Sequence, residues 1–232
     1  MGLLNIAHRG ASGYAPENTR VAFGLAIEMG ADMIETDVQS TRDGELVLFH
    51  DTNVDRVSDG AGPVANFTLA ELRRLDIGGW YDPQFADERV MTLVEFIVEF
   101  VPQVPVVLEI KDAKSAVPLV DAIANAAIGE RVQVTSFIWS ALLEAQARNS
   151  ALSYGFLSPI FDRDIIERCV TCGFAQICPH VDMLTPELIE LAHTKGLFVR
   201  AYGVSRREQL GGLRASGADG ATVNWPDWLR AG

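Results

Sequence analysis

Residues 104–148 read VPVVLEIKDAKSAVPLVDAIANAAIGERVQVTSFIWSALLEAQAR. The run at 104–111 is short, apolar and rich in β-branched residues, as is 132–137. Residues 116–127 and 140–148 instead space their apolar side chains at helical intervals. A near-continuous apolar strand followed by an amphipathic helix is the unit of a parallel sheet covered by helices. The same alternation extends in both directions. It gives strands at 4–8, 33–38, 152–157, 175–178, 197–202 and 220–223, and helices at 19–29, 92–100, 164–172, 186–195 and 206–215. Gly30, Gly173, Gly196 and Gly217 fall just past helical patterns, where a left-handed residue commonly ends a helix. Thr185-Pro186 and Ser205 have the character of helix starts.

Eight strands alternating with helices in 232 residues predict a (β/α)8 barrel, with a doubly wound open sheet as the competing arrangement. The chain is expected to form one domain over residues 1–232, because no low-complexity linker or charge block divides it. One irregular stretch, at about 45–88, breaks the alternation after the second strand. It contains an apolar run at 46–49, a Gly-rich turn at 58–62, a short helix at 69–75 and an aromatic, acidic loop at 80–88. This stretch is expected to be a small insertion over the mouth of the barrel.

Composition narrows the function. A formal net charge of -12 argues against nucleic acid or an anionic membrane surface as partner, so an anionic substrate would need local positive charge. The three cysteines, Cys169, Cys172 and Cys178, are odd in number and closely spaced, which suggests a reducing compartment. Cys169 and Cys172 have C-x-x-C spacing inside a helical pattern with no second pair, and are taken as structural thiols. The N-terminus lacks a basic region followed by an apolar run, and no stretch approaches a membrane span. A cytoplasmic location without stable membrane association is therefore expected.

Chemistry concentrates in the first half of the chain. Side chains alternate along a strand, so Glu35 and Asp37 share one face, as do Glu109 and Lys111. These residues end their strands, as His8 and Arg9 end the first, and that end of a (β/α)8 barrel carries the active site. Adjacent carboxylates repel each other and are costly to desolvate unless a cation relieves both problems. All-oxygen ligation suits one divalent ion, Mg2+ or Ca2+, better than Zn2+. His50 follows the apolar run of the insertion, and only four histidines occur in the whole chain.

His8-Arg9-Gly10, Pro16-Glu17-Asn18-Thr19, Glu35-Thr36-Asp37, Asp43-Gly44, His50-Asp51 and Leu108-Glu109-Ile110-Lys111 resemble, in order, the glycerophosphodiester phosphodiesterase family. The resemblance continues through Asp55-Arg56, Gly79-Trp80-Tyr81, Ser136-Phe137 and Gly217-Ala218-Asp219-Gly220, so it covers essentially the whole chain. It implies a (β/α)8 barrel with an insertion after the second strand. It also implies metal-dependent hydrolysis of a small-molecule glycerophosphodiester to sn-glycerol 3-phosphate and an alcohol. Position by position, Glu35, Asp37 and Glu109 would hold the metal, Arg9 and Lys111 the phosphate, and His8 and His50 would serve as general acid and base. The resemblance further implies a route in which the glycerol 2-hydroxyl attacks first and water opens the resulting cyclic phosphate.

Other positions carry two readings. Glu17 would orient Arg9 at the substrate, while Asn18 serves equally well as a plain helix N-cap. Phe137, Tyr202 and Trp225 lie at later strand ends, where they would line the alcohol side of the pocket or pack the barrel. Arg200 shares a strand face with Tyr202 and would point inward. The family's usual Trp-Thr-Val-Asn is here Tyr202-Gly203-Val204-Ser205, and its common Thr-Asp-x-Pro is Val223-Asn224-Trp225-Pro226. Activity is expected to survive these departures with an altered leaving-group preference. A lysophospholipase D-like activity and a catalytically silent phosphodiester-binding barrel are the alternatives; the two histidines argue against the latter.

Overall fold

The computed structural model describes residues 2–229. Nine strands form one sheet: β1 (Leu4–His8), β2 (Met33–Ser40), β3 (Leu46–Leu48), β4 (Val106–Ile110), β5 (Val132–Ser136), β6 (Ser153–Ser158), β7 (Gln176–Pro179), β8 (Phe198–Val204) and β9 (Gly220–Val223). All but β3 run parallel, and β1 pairs with both β9 and β2, which closes the eight parallel strands into a barrel. Closure leaves no barrel edge and excludes the open-sheet alternative.

Seven helices cover the barrel: α1 (Arg20–Glu28), α3 (Leu93–Phe100), α4 (Ala116–Asn125), α5 (Trp139–Arg148), α6 (Arg163–Thr171), α7 (Pro186–Thr194) and α8 (Gln209–Ser216). A further short helix, α2 (Leu69–Leu72), lies in the insertion. Among the described residues only a 3-10 turn, Pro226–Trp228, follows β9. Helix ends follow local chemistry. Thr92 caps α3 in a reciprocal capping box with Glu95, and Thr185 caps α7 with Pro186 behind it. Phe23 of α1 packs edge-on against Phe96 and Phe100 of α3 at 4.7 and 5.3 Å, which locks the first helix to the third.

Two expected helix starts differ. Thr19, not Asn18, caps α1, its Oγ1 accepting from Ala22 N, because Asn18 turns inward to hydrogen-bond partners on β2. The helix expected from 206 begins at Gln209. Gln209 Oε1 accepts from both Ser205 N and Arg206 N, so the Ser205 hydroxyl does not cap it. Strand β8 also runs on to Val204 through a bulge between Ala201 and Val204, where Gly203 adopts φ +79°.

β3 pairs antiparallel with the C-terminal half of β2, in the register Val38↔Leu48. Val47 of β3 and the irregular segment beyond it, with Phe49, Val54, Val64, Leu72 and Ile77, form a small apolar cluster of their own. α2 begins in a capping box between Thr68 and Glu71 and stops at Leu72, shorter than the expected 69–75. This hairpin delivers His50 to the barrel mouth.

Candidate active site

The C-terminal ends of the parallel strands enclose a cavity of about 280 Å3 whose lining includes His8, Glu35, His50, Glu109, Arg200 and Asn224. Glu35 and Asp37 project inward from β2 and Glu109 from β4, because Asp37 stands opposite Glu109 in the β2–β4 register. One carboxylate oxygen from each of the three lies within 4.8 Å of the others. All three are buried, at 3, 0 and 7% exposure.

Two cations press on this triad. Lys111 Nζ lies 2.8 Å from Glu109 Oε1 and 3.7 Å from Asp37 Oδ1. Arg9 Nε lies 3.2 Å from Asp37 Oδ2, while its Nη1 donates to Glu17 Oε1 at 2.8 Å. The backbone makes this reach possible. Arg9 adopts φ +56° and Gly10 φ +81°, and a side chain at Gly10 would drive its Cβ to 2.6 Å from Ala22 C. The same turn aims Arg9 N at Glu35 Oε2, 3.1 Å away.

Burial, then Asp37 and Glu109, push the Glu35 carboxyl well above its usual range, and burial followed by Asp37 pushes Glu109 up to about 7. Burial also opposes ionisation of Asp37, but Arg9 and Lys111 outweigh it and hold Asp37 low. Three carboxyls thus share a pocket that the local cations neutralise only in part. Asp37 Oδ1 is buried without a hydrogen-bond partner, an acceptor left over for a ligand. An all-oxygen set with a spare lone pair fits a hard divalent cation.

The two histidines stand in different surroundings. His8 Nδ1 lies 2.6 Å from Asn224 Oδ1 on the loop after β9, and its Nε2 lies 4.0 Å from Glu35 Oε2. Burial and the neighbouring Arg9 lower its pKa to about 4, so its ring is neutral at ordinary pH. His50 Nδ1 lies 2.6 Å from Asp51 Oδ1. Burial lowers the His50 pKa, opposed by Asp37 and Asp51, with Arg9 and Lys111 adding to the lowering. Arg56 clasps Asp51 through Nε at 2.6 Å and Glu17 through Nη2 at 2.7 Å. A chain of alternating charge therefore runs Arg9–Glu17–Arg56–Asp51–His50 and joins the first strand's loop to the insertion.

Phe137 and Tyr202 line the cavity and meet edge to face at 5.3 Å. Glu17 does not line it; bound to Arg9 and Arg56, it reaches the cavity only through Arg9. Trp225 is placed away from the cavity. Its ring stacks on Trp228 at 4.2 Å and packs over Gly13, because the chain turns outward into the 3-10 turn after β9. Residue type and spacing alone give no role to three participants, Asn224, Arg56 and Thr222, and Asn18 turns inward instead of capping the helix. Asn18 Nδ2 donates to Asp37 Oδ2 at 3.0 Å, and its Oδ1 accepts from Thr36 Oγ1 at 2.8 Å. The signal for Asn224 was positional, since it directly follows the last strand.

A model of the glycerophosphoryl diester phosphodiesterase family matches residues 8–228. A glycerophosphodiester phosphodiesterase of Caldanaerobacter subterraneus is 35% identical, over 99% of this chain and 97% of that one. Among solved structures, a glycerophosphodiester phosphodiesterase from Agrobacterium tumefaciens superposes with a TM-score of 0.89 at 26% identity, covering 99% of each chain. An Oleispira antarctica phosphodiesterase in complex with the product sn-glycerol-3-phosphate gives 0.87 at 27% identity, covering 97% of this chain and 94% of that one.

Proposed function

Because the chain belongs to the glycerophosphoryl diester phosphodiesterase family, we propose that it hydrolyses glycerophosphodiesters to sn-glycerol 3-phosphate and an alcohol, using a divalent cation and two histidines. It is an enzyme of the phosphoric diester hydrolase class. The observation that carries the mechanism is the buried triad of Glu35, Asp37 and Glu109, of which Glu35 and Glu109 line one cavity with His8 and His50.

Glu35, Asp37 and Glu109 would hold one Mg2+ or Ca2+, whose charge would stabilise the non-bridging oxygens as phosphorus is attacked. Arg9 and Lys111 stand beside the same carboxylates and supply further fixed positive charge for the phosphoryl group. His8 is the better base, because it is neutral at ordinary pH and its Nδ1 is occupied by Asn224, leaving Nε2 to take a proton. His50 is the better acid, because Asp51 at its Nδ1 supports the protonated ring that must release a proton to the leaving alkoxide. Glu17 and Arg56 fix Arg9 and Asp51 in place. Phe137 and Tyr202 would bound the alcohol side of the cavity.

The substrate is a small molecule on this reading, and no nucleic acid is involved. Among the described residues no helix is long and apolar enough to cross a membrane. The three free cysteines support a cytoplasmic setting.

The test is release of sn-glycerol 3-phosphate from glycerophosphocholine, glycerophosphoethanolamine and glycerophosphoglycerol, with Mg2+ or Ca2+ and with chelator. Release abolished by chelator supports the reading and ranks the alcohols. Release that chelator leaves unchanged overturns the metal assignment, and turnover of lysolipids alone overturns the substrate.

A further inference from the structure

Arg200 is the least expected charge in the barrel. It comes from β8 on the same face as Tyr202, is 1% exposed, and is among the residues lining the cavity. Its Nη1 donates to Thr222 Oγ1 at 2.5 Å, but Nε and Nη2 are buried without a hydrogen-bond partner. Among the described residues no carboxylate oxygen lies within ion-pair distance of it, whereas Arg9 and Lys111 are both paired. The Cys178 thiol beside it is a weak, uncharged acceptor. A guanidinium stays charged at any working pH, and a buried charge lacking a counter-ion is costly. Glu35 is near enough to feel Arg200, but its carboxylate belongs to the metal triad.

Taking the phosphodiesterase reading as its basis, we infer that Arg200, with Thr222 beside it, is an oxyanion-binding residue: its free Nε and Nη2 edge receives a phosphoryl oxygen from the β8 side of the cavity that Arg9 also lines. The phosphoryl group would then meet a second guanidinium, from β8, beside that of Arg9 at the end of β1. A planar fork with two unused donors matches a tetrahedral oxyanion better than it matches a neutral hydroxyl.

Direct binding tests this without relying on turnover. Inorganic phosphate and sn-glycerol 3-phosphate are titrated by calorimetry into the metal-loaded enzyme, alongside glycerol and a titration of the metal alone. Arg200→Met is expected to weaken both phosphates by on the order of 10- to 100-fold while leaving glycerol binding and metal binding unchanged. Arg200→Lys, which keeps the charge but loses the fork, is expected to recover part of the loss. Unchanged phosphate affinity in a folded Arg200→Met overturns the inference. A change confined to metal affinity also overturns it, and makes Arg200 a counter-charge for Glu35. Should Arg200→Met fail to fold, Thr222→Val, which frees the guanidinium, must still alter phosphate affinity for the inference to stand. Parent enzyme that binds phosphate at Arg200 yet cleaves no glycerophosphodiester would sink the functional reading and leave the subsite.

Discussion

Asp51 Oδ1 sits 2.6 Å from His50 Nδ1, and the two residues are adjacent in the chain at the point where the insertion hairpin meets the barrel. The carboxylate is held low, to about 2, first by its hydrogen bonds from Arg56 and then by His50, against an opposing push from burial. It is therefore a fixed negative charge through the whole working pH range, and it supports the protonated form of the ring.

Asp51→Asn keeps the shape of that contact and removes its charge. Turnover is expected to fall by roughly 10- to 100-fold, and the limb of the rate–pH profile that requires protonated His50 is expected to move to lower pH. His8→Ala and His50→Ala are each expected to cost roughly 100- to 10,000-fold with the fold intact by circular dichroism. Near-parental turnover in both would remove the acid–base pair.

Asn224→Asp places a carboxylate at His8 Nδ1, where the chain now has a neutral amide. An adjacent negative charge favours the imidazolium, so the His8 pKa should rise from about 4 and the acid limb of kcat/KM should move up with it. An unmoved acid limb would show that His8 is not the base.

Glu109, as a ligand of the proposed cation, would link metal binding to stability. Its carboxyl is raised from 4.5 to about 7, so the folded protein binds that proton more tightly than the unfolded chain does. The stability it contributes is present at low pH and is lost as pH rises through about 7. The metal-free protein should lose this increment between about pH 5 and about pH 8, and Mg2+ or Ca2+ should raise Tm more at the higher pH. Glu109→Gln should flatten the difference. Equal metal titration curves for variant and parent would take Glu109 out of the ligand set.

Asn18→Ala removes two of the hydrogen bonds that join the loop after β1 to β2 and places alanine at φ +57°. With Asp37 losing a buried donor, the expected cost is about 1–3 kcal/mol, read as a Tm drop of several degrees. A thermal curve that overlays the parent's would show that Asp37 does not depend on Asn18.

The amino-acid sequence by itself determined the strand and helix alternation, the place of the insertion, and the strand-end positions of His8, Glu35, Asp37, Glu109 and Lys111. Each depends on local periodicity, and the two-residue repeat of a strand assigns its faces without knowledge of its neighbours. Only the tertiary structure decided who meets whom. Asn224 reaches His8 across 216 positions because β9 closes against β1. Arg56 bridges Glu17 and Asp51 because the insertion folds back on the first loop. Trp225 turns away from the cavity at a position whose strand-end spacing is compatible with lining it or with packing the barrel. Arg200 was legible as an inward side chain, but its lack of a counter-ion depends on every strand around it. Pairings of this kind are set by barrel closure and loop path, which bring distant segments together in ways that no local repeat encodes.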